Sequence, residues 1–156
     1  MPRLLLIRHA KAADGHPDRD RPLAPSGVAA ASAIGRWLGD QQIAPDRVVV
    51  SPARRTVQTW RHAAAAGVAP VTDERIYGNT LDDLLAVIRG TPDEVSTLAL
   101  VGHNPAIHAL AAELDDTDDQ FDGGFPTGGV AVFEVPVGWS AVGAGSARLA
   151  TFARPG

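Results

Sequence analysis

Apolar residues in this chain fall into short unbroken runs and longer helical stripes, and the two kinds alternate. Leu4-Leu5-Leu6-Ile7 has no polar break, the pattern of a strand buried on both faces, and it ends abruptly in Arg8-His9. Arg47-Val48-Val49-Val50 is short and β-branched, and Thr97-Leu98-Ala99-Leu100-Val101 is a third run of this kind. Between the first two, Pro25 suits a first helical position, and Ala29, Ala30, Ala33, Ile34, Trp37 and Leu38 recur at steps of three and four. They predict an amphipathic helix of about four turns, ending near Gly39-Asp40. After Val50, Ser51 is a candidate N-cap and Pro52 a candidate first residue for a helix reaching about residue 66. Residues 71–76 predict a short strand, and Leu81, Leu84, Leu85 and Ile88 line a helix stopped by Gly90-Thr91-Pro92. Pro105 and the Ala/Leu pattern of residues 107–114 begin another helix.

Residues 12–25 are rich in Asp, Gly, Pro and Arg and form a loop. Its run Asp18-Arg19-Asp20-Arg21-Pro22-Leu23 is either a solvated stretch with local ion pairs or a device that points Arg21 into a cleft above the first strand's tip. The acidic residues 113–122 form a second loop. Val130-Ala131-Val132-Phe133-Glu134-Val135 and residues 147–152 have no helix between them, so they predict antiparallel strands at or near a sheet edge. The whole order describes an α/β fold in one domain, residues 1–156. It is a three-layer α/β/α sandwich whose central sheet is mostly parallel with an antiparallel edge. Ligands of such sheets bind beyond the carboxyl ends of the strands, where Arg8-His9, Ser51-Pro52 and Gly102-His103 all stand.

Composition narrows the function classes. At 156 residues, with 45% hydrophobic and 21% charged, the chain is ordinary for a globular protein with a full core. It has no cysteine, which removes disulfides, thiolate metal sites and a cysteine nucleophile. The first apolar run is too short for the core of a signal peptide and far too short to span a bilayer, so a soluble cytoplasmic protein without a membrane partner is expected. A net charge of −4 argues against nucleic acid as partner.

If the strands ending at Ile7, Val50 and Val101 are neighbours, Arg8, His9, Arg55 and His103 meet at one point. Two guanidiniums and two imidazoles suit a tetrahedral oxyanion, because the Arg fork matches phosphate oxygens and stays charged. Helix N-termini at Pro52 and Pro105 add partial positive charge there. As nucleophile, Ser51 is occupied if it caps a helix, and no G-x-S-x-G elbow exists. A neutral histidine can attack phosphorus itself, without a metal. Metal binding through the five histidines is the weaker alternative, since His103 and His108 lie far apart around a helix and the others sit in separate segments.

Leu6-Ile7-Arg8-His9-Ala10-Lys11, Arg21-Pro22-Leu23 followed by Gly27, Ser51-Pro52 with Arg55 and Gln58-Thr59, and Val101-Gly102-His103-Asn104-Pro105 together resemble the histidine phosphatase superfamily. The small SixA-like branch of phosphohistidine phosphatases is the nearest in pattern, over residues 3–133. The resemblance implies a phosphoglycerate mutase-like fold, no metal or cofactor, His9 as the phosphorylated nucleophile, and Arg8, Arg55 and His103 as the phosphate pocket. It also selects Arg55 over Arg54, a choice the spacing alone leaves open. Ala10 stands where the larger family usually has Gly, and Thr127 in Phe125-Pro126-Thr127-Gly128 matches a segment of the branch without a chemical role.

The partner implied is a phosphorylated protein carrying phosphohistidine. A small phosphorylated metabolite is the alternative substrate, and a non-catalytic phosphate-binding module is the rival from another class. Larger members use an acidic residue between the second and third motifs as general acid, and Glu74 and Asp82 are the candidates here. Lack of such an acid favours a leaving group that departs easily, such as imidazole. The spans between motifs hold no insertion long enough for a lid. For His9 to escape the strand's alternation, the chain is expected to bend just after Ile7.

Overall fold

The computed structural model describes residues 1–64, 68–117 and 119–156. Its six strands form one sheet in the order β3-β2-β4-β1-β5-β6. β1 (Arg3–Arg8) lies inside the sheet, parallel to β4 (Thr97–Gly102) and antiparallel to β5 (Val130–Glu134). β2 (Arg47–Val50) pairs in parallel with β4 on one side and with β3 (Val71–Thr72) on the other. β6 (Arg148–Ala153) closes the opposite edge antiparallel to β5, with an irregularity between Val132 and Phe133. The mostly parallel sheet with an antiparallel edge is as the sequence predicts.

Two apolar layers explain why the central runs carry no polar alternation. Leu5, Ile7, Val48, Val50 and Val101 cluster with Ile34 and Leu38 of α1 (Pro25–Asp40) and Trp60 of α2 (Arg54–Ala63). Leu4, Leu6, Val49, Leu98 and Leu100 cluster with Leu84 and Ile88 of α4 (Leu81–Arg89) and with Ile107 and Leu110 of α5 (Ala106–Leu114). Successive residues of one strand thus enter opposite cores. Each fully buried Leu or Ile contributes about 1.5–3 kcal/mol of transfer free energy. Among the described residues no helix is long and apolar enough to cross a membrane.

Local departures from the expected elements have identifiable causes. α1 begins at Pro25, but its buried stripe is Gly27, Ala31, Ile34 and Leu38, and Ala29 is exposed. Backbone contact sets this rotation: a Cβ on Gly27 would lie 2.1 Å from the Lys11 carbonyl oxygen, and one on Gly35 2.4 Å from that of Ala63. α2 starts at Arg54 rather than Pro52, with an extended Ala53 at the N-cap position. The Ser51 hydroxyl instead accepts the Ala53 N–H at 3.2 Å, one turn ahead of the helix. α2 ends at Ala63, and the expected extension to about residue 66 lies partly outside the described residues.

Of residues 71–76, only Val71–Thr72 is strand. Asp73 then accepts the Arg75 N–H at 2.9 Å and caps a short helix, α3 (Glu74–Gly78), so a capping carboxylate stops the strand. Glu113 and Leu114 belong to α5, and the acidic loop starts at Asp115. β1 also runs further than expected: Arg8 pairs with Gly102, and the His9 N–H still donates to the Gly102 carbonyl at 3.0 Å. The chain leaves the sheet at Ala10, not after Ile7.

The glycine contacts of α1 make a test of this packing. Gly27→Ala gains about 1 kcal/mol of helix propensity but drives a methyl into the Lys11 carbonyl, and overpacking of this kind costs about 1–3 kcal/mol. A net loss of stability is expected in urea unfolding, where an unconstrained helical glycine would show a gain.

Candidate active site

Adjacent strands bring the three motifs together. The ring centroids of His9 and His103 are 5.3 Å apart, and the Tyr77 ring meets His103 edge-on at 5.8 Å. At the tip of β1, Arg8 Nη1 donates to the Phe125 carbonyl at 2.9 Å, and Asn104 Nδ2 donates to the same oxygen at 2.9 Å. Phe125 is buried, its ring against those of Phe121 and Phe152. The Gly128 N–H reaches the carbonyls of both Arg8 and His9 at 3.1 Å. Thr127 accepts Arg154 Nε through its carbonyl at 3.1 Å. The segment Phe125-Pro126-Thr127-Gly128 therefore supports the tip through backbone atoms.

The imidazoles are held by equally specific contacts. His9 Nδ1 lies 2.7 Å from the Ala10 carbonyl, which can only accept, so the proton is on Nδ1 and Nε2 keeps its lone pair. The Ala10 N–H donates to Thr59 Oγ1 at 3.0 Å, and that hydroxyl donates to the Arg55 carbonyl at 2.7 Å. Gln58 Oε1 accepts the Leu23 N–H at 2.8 Å. Gln58 and Thr59 thus tie α2 to the loop before α1 and to the residue after His9. His103 Nε2 stands 2.8 Å from Ser51 Oγ, both groups buried. With the Ser51 proton given to Nε2, the ring N–H is on Nδ1.

Of the two adjacent arginines, Arg55 is 7% exposed and belongs to the cluster, while Arg54 faces solvent. Arg55 Nη1 donates to the Asp18 carbonyl at 3.0 Å and Nη2 to Asp18 Oδ2 at 3.1 Å. Tyr77 Oη donates to the same Oδ2 at 2.9 Å, and Arg21 Nη1 to Asp18 Oδ1 at 3.2 Å. Arg19 binds Glu74 and lies 4.7 Å above the Tyr77 ring. The short 3-10 turn Asp18–Asp20 is thereby strapped across the pocket wall. Arg21 pairs locally with Asp18, and the cleft of about 460 Å³ that it lines with Asp14, Gly15, His16 and Asp18 is formed by the loop itself, with no described residue of the first strand's tip.

Glu74 and Asp82 do not join this group. Glu74 is 73% exposed and bound to Arg19, and Asp82 faces solvent on the first turn of α4. His108 donates to the Phe121 carbonyl at 2.7 Å, and among the described residues no group of three His, Cys, Asp or Glu side chains could hold a metal ion.

Burial first, then the neighbouring guanidiniums, push His9 down from its ordinary 6.5 to about 4, against the raising effect of the Ala10 contact. Burial and Arg55 push His103 down to about 3. Both rings are therefore neutral at physiological pH. Tyr77, then Arg21 and Arg55, hold the Asp18 carboxyl down at about 2, so it is ionised. Arg8 Nε and His103 Nδ1 are buried without a protein partner. Three of the five N–H groups of Arg55 are likewise not spent on Asp18. A buried donor without an acceptor costs about 1–3 kcal/mol, and an anion rich in acceptors would satisfy those of Arg8 and His103.

Sequence reasoning brought Arg8, His9, Arg55 and His103 together, and it missed Asp18 and Tyr77. Asp18 lies in a charge run that reads like any solvated loop, and its partner Arg55 is 37 positions away. Tyr77 follows Glu74-Arg75-Ile76, and the misassigned strand hid its position on a helix.

Comparison with known proteins agrees with this geometry. The family model of the histidine phosphatase superfamily, branch 1, matches residues 4–78. An uncharacterised protein of Mycobacterium tuberculosis is 39% identical over 158 residues, covering 96% of this chain and 99% of that one. A structure from Nakamurella multipartita, provisionally named a phosphohistidine phosphatase SixA, superposes with a TM-score of 0.88 at 32% identity, over 99% of this chain and 96% of that chain. The phosphohistidine phosphatase SixA of Escherichia coli is 27% identical over 117 residues, 71% of this chain and 73% of its own length. With the sheet, the strand-tip motifs and these relatives in agreement, the chain belongs to the histidine phosphatase superfamily, in its SixA-like branch of phosphatases.

Proposed function

We propose that this phosphatase removes phosphate from histidine side chains of proteins through a phosphorylated His9, in the cytoplasm and without a metal. The observation that carries the reading is a neutral His9, its Nδ1 tied to Ala10, with the His103 ring 5.3 Å away and the guanidiniums of Arg55 and Arg8 close enough to lower it. Nε2 attacks phosphorus, and the negative charge on the equatorial oxygens meets donors already in place, where most of the rate advantage arises. Water then cleaves the phosphoramidate and regenerates His9.

The substrate class follows from the acid that is not at hand. Glu74 is engaged with Arg19 at the surface, and Asp82 is exposed. An alcohol leaving group benefits about 10²–10⁴-fold from a positioned proton donor, whereas a protonated imidazole leaves as a neutral molecule. The SixA relatives, which carry phosphohistidine phosphatase in their names, point the same way. A general phosphomonoesterase would share the phosphate pocket and differ in leaving group.

Three outcomes are expected. Rapid quenching during turnover of a phosphohistidine protein traps acid-labile phosphate on His9, and His9→Ala loses both the trapped phosphate and turnover by about 10³-fold or more. Hydrolysis of sugar phosphates and phosphoglycerate is slow in the same panel. If phosphate or vanadate binds and nothing in the panel is hydrolysed, the chain is a binding module.

The depressed imidazoles make the third outcome a pH effect. In the free enzyme the His9 ring protons titrate in NMR well below 6.5, towards about 4. Because the unfolded chain takes up these protons first, near 6.5, the stability they confer is full above that value. It falls as pH drops from about 6.5 towards 4. Urea midpoints at about pH 7 and pH 5 measure the loss, which is smaller in His9→Asn.

A further inference from the structure

Asp18 has a place in the site that supporting Arg55 does not exhaust. Its Oδ2 is filled by Arg55 and Tyr77, but Oδ1 takes Arg21 alone, so one of its acceptor positions is free. Side-chain exposure rises from 9% at Arg55 to 52% at Asp18, so the carboxylate lies further out towards solvent than the guanidinium it binds. In an in-line displacement the leaving group departs on the side opposite the attacking nitrogen. A group that departs towards solvent from a phosphate held by Arg55 passes the side on which Asp18 stands. The loop cleft that Asp18 lines also carries a second carboxylate, Asp14, and the ring of His16.

We propose that Asp18 accepts the N–H of a departing imidazole and so selects phosphoryl groups carried on nitrogen over those carried on oxygen. The inference rests on the phosphohistidine reading and names the residue that enforces it. The His9 Nε2 lone pair forms the new N–P bond while the substrate's P–N bond breaks, and that electron pair stays on the substrate nitrogen. The proton already on the ring's other nitrogen makes the departing group neutral imidazole, and Asp18 holds that N–H throughout. The enzyme donates no proton. An oxygen leaving group instead carries its growing negative charge towards an ionised carboxylate. Asp18 cannot relieve it as an acid, because Tyr77, Arg21 and Arg55 all stabilise its charged form.

The test is Asp18→Asn, which keeps an acceptor for Arg55 and Tyr77 but removes the charge. It is assayed with phosphoimidazole and with para-nitrophenyl phosphate, whose leaving group needs no proton. Loss of Arg55 positioning lowers kcat/KM for both, so the reading is their ratio. The phosphoimidazole to nitrophenyl phosphate ratio is expected to fall by about 10- to 100-fold, the usual worth of a hydrogen bond to a charged group. If wild type cleaves phosphoimidazole and the ratio in the variant stays within about twofold, Asp18 only supports Arg55 and the assignment is overturned. If wild type cleaves nitrophenyl phosphate and no phosphoimidazole, the phosphohistidine reading falls, and the role of Asp18 with it.

Discussion

Parallel pairing of β1 with β4 is the constraint on which the site depends. The register sets Ile7 beside Val101 and Arg8 beside Gly102, so the residues that follow, His9 and His103, emerge side by side. Nothing local to either segment would bring two imidazoles within 5.3 Å of each other. Gly102 keeps this junction tight, since a Cβ there would press on Ile76 and Ile107 at about the closest tolerable distance. β2 then lies on the other side of β4 and delivers Ser51 to His103 and, through the start of α2, the buried Arg55 to the same cluster. The fold needs only three neighbouring strands to assemble the chemistry, and the rest of the chain holds them in register.

Polarity inside the cluster is resolved in a hierarchy. Backbone carbonyls of Ala10 and Phe125 fix one nitrogen of His9 and one of Arg8, and a buried hydroxyl fixes one of His103. Each side chain is thus oriented by a group that cannot titrate. What remains is a set of donors facing inward and two rings that burial keeps uncharged. The same burial that makes His9 a poor base towards solvent leaves its lone pair available to an electrophile.

Much of this was legible in the sequence because it rests on strong, periodic signals. Unbroken apolar runs identified β1, β2 and β4, and the polar residues at their ends were where a parallel sheet exposes its functional groups. Legibility failed where a single side chain decided the outcome. Asp73 turned an expected strand into α3 by capping it, and the Ser51 hydroxyl holds the Ala53 N–H ahead of α2 instead of capping a helix from Pro52. Asp18 escaped notice because its role depends on a partner reached only through the tertiary fold, and neither charge pattern nor spacing encodes that distance. Glu74 was a reasonable general-acid candidate by position along the chain, but a neighbouring loop supplied Arg19 to occupy it.

The Phe125 carbonyl, shared by Arg8 and Asn104, joins the reactive end of the sheet to the aromatic packing of Phe121 and Phe152 at its far edge. That union gives the edge hairpin a second duty. Loosening the rings would rotate a peptide plane and shift a guanidinium with it, while every residue touching phosphate stayed unaltered. Positions that look like filler thereby share in holding the Arg8 guanidinium in place.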